Sequence, residues 1–600
     1  MASLYRGGVR SLGRPLVSCR WRWDAVAVRA AYGRHAEGVG RGSLRHPQHA
    51  GCGQTVTSFG VPTLLYCGAG RAAVAVSKTP GQSSVSYDRR ARGRCGLLAV
   101  AHRLCRRQIQ CHRRPLSTKG RQMGELGMTI DGSSMWGRQT FGVVDPATGA
   151  VFAHAPVCTV EQLDQAMDAA LRAFHEWRRE DDVRRAALRE CARVLLGALD
   201  ELATTITAEQ GKPRAASVAE VVAAVSWLRY YAELDIGREI VQDDRHGYAD
   251  VVRRPLGVVA AITPWNFPVA LAMWKLAPAL RAGNTVVLKP SPYAPMSALM
   301  MGEVLGRVLP AGVVNVVTGP DPLGDRIVTH PVPRMVSFTG SVATGRRVAA
   351  AAAGGLKRMT LELGGNDPAV VLDDVDPEQV ADDIFWAALA DNGQRCMAAK
   401  RVYVARHRHD DLVEALAARA RATRVGPGSQ PSVQLGPLGN QLQVGRMAEY
   451  VRDALAHGAA LAAGGTALDR PGYFYAPTVL AGATDGVRVV DEEQFGPVLP
   501  VIAYRDVDDA VNRANASDFG LTASVWSADL ERANAVAARL DAGQVSVNAH
   551  AAGVRPDLPF GGHKCSGIGV ENGVWGLHSF TDLQATVRPA PKRRRQTRTG

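Results

Sequence analysis

Apolar positions along this 600-residue chain change their spacing from one region to the next. Leu163, Met167, Leu171 and Phe174 recur at helical spacing behind Thr159-x-x-Gln162, a capping-box start, and predict one amphipathic helix. Two further helices are expected over 182–210 and 214–234. Asp145-Pro146-Ala147-Thr148-Gly149 reads as a turn between two short strands. Tyr248, Val251 and Val252 within 246–255 predict an extended hairpin arm, the kind of edge that often pairs between subunits.

From Val258 the pattern becomes a series of short, continuous apolar runs. Val258–Ile262 and Thr285–Leu288 suit strands buried on both faces. Val313–Val317, Met335–Thr339 and Met359–Leu363 continue the series, with helical stretches between them. Strands so separated are the signature of a parallel sheet, and a second α/β alternation runs from Gly365 to about Ser546. The stretch Leu256–Met273 is about long enough to span a bilayer. Pro264, Asn266 and Pro268 would leave backbone groups unpaired there, so it reads as a strand, a turn and a helix.

The formal charge of +15 suggests a polyanionic partner, but its distribution argues otherwise. Residues 1–127 hold 22 Lys and Arg against 4 Asp and Glu, without a sustained helix or strand period. The tail 588–600 adds 6 basic residues and no acid. Residues 128–587 hold 43 basic and 52 acidic residues, so the body is mildly acidic. The first 127 residues are expected to be a disordered basic extension, and 589–600 a solvated basic tail. A transit segment or a nucleic-acid arm are the other readings of the extension. Six of the ten cysteines lie in that extension. Cys158, Cys191, Cys396 and Cys565 of the body are widely spaced, which fits neither a disulfide framework nor a metal site and suits a reducing compartment.

Several motifs carry chemistry. Cys396 follows Asn392-Gly393-Gln394-Arg395, and Glu362 lies between Leu361 and Leu363 in an apolar strand. A carboxylate there is costly to bury while ionised, so its pKa is expected to rise toward that of a general base. Asn266 sits in Thr263-Pro264-Trp265-Asn266-Phe267-Pro268 and offers a side-chain amide donor. A thiol, a carboxylate and an amide donor are the parts needed to oxidise an aldehyde through a thioester. Phe338-Thr339-Gly340-Ser341, with Gly345, leads from a strand into a helix and allows phosphate to approach a helix N-terminus. Taken singly, these motifs have plain readings: a small buried hydrophobe for Cys396, a tight turn for Gly340, a solvated cation for Lys289, and an exposed acidic pair beside a buried ring for Glu492-Glu493-Gln494-Phe495.

Together they resemble the aldehyde dehydrogenase superfamily. The likeness covers about residues 128–588 and rests on Thr263–Pro268, Lys289–Ser291, Phe338–Gly345, Leu361–Gly365, Gly393–Cys396, Glu493–Pro497 and Pro559–Gly562. It implies an α/β fold in three parts. These are a Rossmann-like cofactor domain over 128–363 with the arm near 246–255, an α/β catalytic domain over 364–546, and a return to the first domain with an oligomerisation segment over 547–588.

The resemblance also implies roles. Cys396 would attack the aldehyde, and Asn266 with the Cys396 N–H would hold the oxyanion. Glu362 would activate the water that hydrolyses the thioester, and Lys275 would stand near the proton route. Thr263, Pro264, Trp265, Lys289, Ser291, Phe338, Gly340, Ser341, Gly345, Leu363, Gln443, Glu493 and Phe495 would contact NAD or NADP. Lys289 and Glu493 would bind its two riboses, and Ser341 would meet its pyrophosphate. The substrate pocket would involve Phe267, Leu271, Trp274, Arg395, Met397, Phe560 and the loop Ala549–Leu558. Glu362 favours water over coenzyme A as acyl acceptor, hence a free acid product.

Two departures matter. Pro292 stands where many NAD-preferring members carry a ribose-binding Glu, which leaves NADP open. Ala390 stands where succinate-semialdehyde dehydrogenases carry an Arg, which leaves the aldehyde open although Arg395 and Arg555 would attract an anion. The implied assembly is a homodimer or homotetramer in the cytoplasm, or the mitochondrion if 1–127 is a transit segment, with no metal, nucleic acid or membrane partner. A thiol esterase or acyl-transfer enzyme and a non-catalytic scaffold are the alternatives.

Overall fold

The computed structural model describes residues 126–590. The expectations for the basic extension lie almost wholly, and those for the basic tail mostly, outside the described residues.

The apolar runs form two large, mostly parallel sheets. The first has eight strands in the order Ser133–Met135, Met128–Ile130, Val314–Val316, Thr285–Lys289, Val258–Ile262, Met335–Thr339, Arg358–Glu362, Gly567–Ile568. The five strands from Val314–Val316 to Arg358–Glu362 are parallel, and their side chains are buried almost throughout. Each such Val, Leu or Ile contributes roughly 1.5–3 kcal/mol by leaving water. The chain builds outward from Val258–Ile262 on one side, then returns to build outward on the other. The strand order therefore reverses between Val258–Ile262 and Met335–Thr339. A crevice opens at such a reversal, beyond the carboxyl ends of the strands, and ligands bind there in open α/β sheets.

The second sheet has seven strands in the order Ala460–Ala463, Thr478–Ala481, Val498–Tyr504, Ala399–Ala405, Asp367–Val371, Thr522–Trp526, Gln544–Val547. All its pairs are parallel except the one involving Ala460–Ala463. A third sheet pairs Glu239–Asp244, Gly247–Pro255 and Thr581–Pro589 in antiparallel register. The arm thus extends beyond 246–255, because a strand from the far end of the chain completes it. Ile240, Val241, Leu583 and Val587 on it are exposed.

The capping box forms as expected: Thr159 Oγ1 accepts from the Gln162 N–H, and Gln162 Oε1 accepts from the Thr159 N–H, at the start of the helix Val160–Trp177. The expected helix over 182–210 is instead two, Asp181–Gly197 and Leu199–Gln210, broken at Ala198. Ala198 leaves helical geometry with φ −99° and ψ 13°, and Gly197 before it lowers the cost of the break. The helix Arg214–Glu233 follows closely. The helix Ala270–Ala282 is buried on every side, its Lys275 and Arg281 included. Among the described residues no helix is long and apolar enough to cross a membrane.

Candidate active site

Three loops converge where the two large sheets meet. A Cβ on Gly365 would stand 2.5 Å from the Cys396 carbonyl oxygen, and one on Gly364 would overlap the Glu493 carboxylate. Only glycine lets Leu361–Gly365, Gln394–Cys396 and Glu493–Pro497 approach so closely.

Cys396 follows a short 3-10 turn, Ala390–Gly393, in which Asp391, Asn392 and Gly393 have φ of 58°, 58° and 67°. Left-handed backbone at two non-glycine residues persists only where surrounding contacts over-determine it. Those contacts are present. The Asn392 amide donates to the carbonyls of Gly436 and Pro437 at 2.7 and 3.0 Å, and Gln394 Oε1 accepts from the Gly439 N–H at 2.8 Å. The three carbonyls leading to the thiol are also held. Lys400 Nζ donates to Gly393 and Arg395 at 3.1 and 2.8 Å, and Asn266 Nδ2 donates to Gln394 at 2.9 Å. With these fixed, the direction of the Cys396 N–H is fixed as well. The Cys396 thiol is half-buried, and its pKa is pushed up to about 12 by burial and by the Glu493 and Asp367 carboxylates.

Asn266 is buried, and its Oδ1 has no hydrogen-bond partner. One amide hydrogen is spent on Gln394, which aims the other. Glu362 ends its strand buried, with neither carboxylate oxygen partnered. Burial and the nearby Glu571 carboxylate hold its pKa well above the usual range, while Lys275 opposes them. Lys275 is fully buried; its Nζ pairs with Glu571 Oε1 at 2.6 Å and donates to Thr339 Oγ1 at 2.7 Å. Sequence reasoning missed Glu571. Its partners Lys275 and Ser337 lie 296 and 234 residues away, and only its place just beyond the glycine-rich loop at 560–569 hinted at it.

Of the residues expected to meet a cofactor, Thr263 and Gly340 directly follow the two strands at the reversal, and Lys289 ends the strand next to them. Thr263 follows the strand Val258–Ile262, and its Oγ1 is buried without a partner. Lys289 ends its strand; its Nζ makes one long 3.4 Å contact to the Pro290 carbonyl, and burial lowers its pKa. Ser291 Oγ accepts from the Tyr293 N–H. Ser341 caps the helix Val342–Ala353, and a Cβ on Gly345 in its first turn would meet Leu363 at 2.5 Å. A Cβ on Gly340 would overlap the Phe338 ring. Trp265 meets the Phe495 ring edge-on at 5.5 Å, and Gln443 Nε2 reaches the Phe495 carbonyl at 3.4 Å. Pro264 is half-buried beside them. A backbone-lined helix N-terminus, a buried ammonium and an orphaned hydroxyl fit a dinucleotide.

At the thiol's other side, Leu271, Trp274, Met397 and Phe560 are buried in one cluster, against which Phe267 and Cys396 pack. Trp274 stacks on Trp227 at 5.3 Å and meets Phe560 edge-on at 5.1 Å. Arg395 Nε is buried without a partner, whereas Arg555 is tied to Asp557. His550 is kept neutral, its pKa pushed down to about 3 by burial and the Arg395 charge. No group of three or more potential metal ligands occurs among the described residues.

Residues 134–586 match the model of the aldehyde dehydrogenase family. The chain belongs to that family. Phenylacetaldehyde dehydrogenase of Pseudomonas fluorescens is 39% identical over 466 residues, 75% of this chain and 92% of the relative. Succinate-semialdehyde dehydrogenase [NADP(+)] of Escherichia coli (strain K12) is 37% identical over 452 residues, 74% and 93% of the two chains. The NAD+ complex of an aldehyde dehydrogenase from Bacillus cereus superposes with a TM-score of 0.77 at 33% identity, covering 80% of this chain and 99% of that one. This family member is an oxidoreductase that oxidises an aldehyde with NAD or NADP through a cysteine thiohemiacetal and a thioester. The relatives do not favour the esterase and scaffold alternatives.

Proposed function

We propose that Cys396 is the nucleophile, Asn266 and the Cys396 N–H the oxyanion donors, and Glu362 the base of this aldehyde dehydrogenase. The observation that carries the assignment is the convergence of the Glu362, Cys396 and Glu493 loops at Gly364 and Gly365, a packing that admits no side chain. The half-buried Cys396 thiol gives up its proton to water as its sulfur adds to the aldehyde carbon, and the free Asn266 amide hydrogen meets the new oxyanion. The nicotinamide of bound NAD or NADP supplies the hydride acceptor. Glu362 then takes a proton from water as the water attacks the thioester, releasing the acid and restoring the thiol. The Lys275–Glu571 pair stands beside Glu362 to pass that proton on.

We place the cofactor against Thr263, Pro264, Trp265, Phe338, Gly340, Gly345 and Leu363, with its pyrophosphate on Ser341. Its riboses lie on Lys289 with Ser291, and on Glu493 with Phe495. Gln443, expected near the adenine-side ribose, stands instead beside Phe495, whose carbonyl its Nε2 reaches at 3.4 Å, and so on the Glu493 side. Residues 128–363 with 547–588 then form the cofactor domain, and 364–546 the catalytic domain. Pro292 offers no carboxylate to repel a 2′-phosphate, which supports NADP as well as NAD as the cofactor. The exposed apolar edge of the arm supports assembly as a homodimer or homotetramer. The free cysteines support a reducing compartment, the cytoplasm.

A panel of aliphatic, aromatic and anionic aldehydes with each cofactor, followed at 340 nm, tests this reading. Turnover with both cofactors is expected; a thousandfold preference for NAD in kcat/KM would sink dual use. Arg395, next to Cys396, has a buried Nε without a hydrogen-bond partner. Arg395→Leu is expected to lower kcat/KM for carboxylate- or sulfonate-bearing aldehydes by roughly 10–100-fold, the worth of one charge-assisted hydrogen bond. Neutral aldehydes should change by less than about threefold. Equal losses for both classes would remove Arg395 from substrate selection.

A further inference from the structure

Lys212 lies between the helices Leu199–Gln210 and Arg214–Glu233, and its side chain is wholly buried. Its Nζ lies 2.9 Å from Glu220 Oε2, itself fully buried, and 3.3 Å from Asp391 Oδ2. It donates to the main-chain carbonyl of Asn266 at 2.6 Å and sits 3.6 Å from the centre of the Phe267 ring. The second Glu220 oxygen accepts from the N–H groups of Val269 and Ala270 at 2.9 and 3.2 Å. Asp391 opens the left-handed stretch that leads to Cys396, and its carboxyl is raised by burial while the Lys212 charge opposes the shift.

Stability alone does not explain this cluster, because apolar side chains of similar volume pack such a site at no charge-burial cost. The geometry explains it better. One ammonium donates to two separate pieces of chain, the helix bearing Glu220 and the loop bearing Asn266, and pairs in charge with a third, the loop bearing Cys396, through Asp391. Phe267 fills the remaining side of the ammonium. A hydrogen bond from Asn266 Nδ2 to the Gln394 carbonyl also ties the two loops, made by the same amide that must meet the oxyanion.

We propose that Lys212, with Glu220 and Asp391, is a positioning residue for the aldehyde step, setting the Asn266 amide against the Cys396 loop. The inference rests on reading Asn266 and Cys396 as oxyanion donor and nucleophile. Lys212 touches neither substrate nor cofactor. It acts through the Asn266 main chain and the turn at Asp391.

Lys212→Met keeps the aliphatic stem but leaves two buried carboxylates uncompensated. Lys212→Met/Glu220→Gln restores the net charge of the cluster, with Asp391 the one carboxylate left without its ammonium, and the Gln oxygen still accepts from Val269 and Ala270. In the full chain, four quantities decide: melting temperature, NADH affinity by fluorescence, kcat and KM for aldehyde oxidation, and cofactor-free hydrolysis of p-nitrophenyl acetate. The double variant is expected to melt near wild type and to bind NADH within about twofold. Both turnover rates should fall about 30-fold or more, approaching the ~10²–10³ of a lost oxyanion donor, with little change in aldehyde KM. Asn266→Ala added to it should cost less than about threefold more, because the two act as one unit.

A folded double variant with wild-type rates, or losses that multiply with Asn266→Ala, overturns the proposal. If neither Lys212 variant folds, Asp391→Asn decides: a several-fold loss in both rates supports it, and unchanged rates overturn it. Wild type oxidising no aldehyde would instead sink the reaction assigned above, and ester hydrolysis would still report on Lys212.

Discussion

Glu362→Gln leaves an enzyme that reduces about one equivalent of cofactor per active site and then nearly stops. On the roles proposed above, acylation needs Cys396 and Asn266, both untouched by this change, so the first hydride transfer should proceed. Hydrolysis needs a base for the water, and an amide cannot take the proton. Steady-state turnover should fall by on the order of 10²–10⁴, the usual worth of a positioned general base. Gln is isosteric, and neither Glu362 oxygen has a partner to lose, so the fold should tolerate it.

The pH profile supplies the sign. Burial and Glu571 raise the Glu362 pKa, so the protonated, inactive form prevails at low pH and activity rises as pH climbs through that value. Glu362→Gln should remove this limb. Stopped-flow reading at 340 nm separates burst from steady state. A variant with neither burst nor turnover would place Glu362 in acylation, and one with wild-type turnover would remove it from the mechanism.

Cys396→Ala should abolish both burst and steady state, a loss on the order of 10⁴-fold or more. Losing one half-buried sulfur costs about 1 kcal/mol of stability, so folding and cofactor binding should persist. The thiol is pushed up to about 12 in the free protein. Its iodoacetamide labelling should therefore rise about tenfold per pH unit over pH 7–10. Mass spectrometry must assign the label, because Cys565 is half-buried too, whereas Cys158 and Cys191 are buried with pKa values pushed up to about 12. Equal aldehyde oxidation by wild type and Cys396→Ala would end the thioester mechanism for this chain.

What could be read from the sequence was set by distance along the chain. The buried strands around Val258–Ile262 and the capping box at Thr159 are local patterns and appear where expected. The loops bearing Asn266, Glu362 and Cys396 were recognisable because each motif is contiguous. The break at Ala198 was not, since alanine favours a helix and a single glycine before it, Gly197, barely interrupts the period. Glu571, Lys212 and Asp391 were invisible for a different reason. Each looks like an ordinary surface charge in its own neighbourhood, and it acquires meaning only when folding buries it beside a partner that no local periodicity names. The full arm was unreadable on the same grounds, as its third strand, Thr581–Pro589, pairs with residues more than 300 positions earlier.

The strand Val258–Ile262 stands at the reversal of strand order, and everything that follows it inherits that position. Thr263 follows it with a buried, unpartnered hydroxyl, Asn266 reaches the Cys396 loop, and Lys275 meets Glu571 from the helix Ala270–Ala282. A helix advances about 100° per residue. One residue inserted between Val269 and Trp274 would swing Lys275 off Glu571 by that angle, while leaving every functional side chain present. Between Ile262 and Lys275 the length of the chain is therefore as much a part of the active site as its chemistry, and a change in spacing there should be tolerated less than most changes of residue.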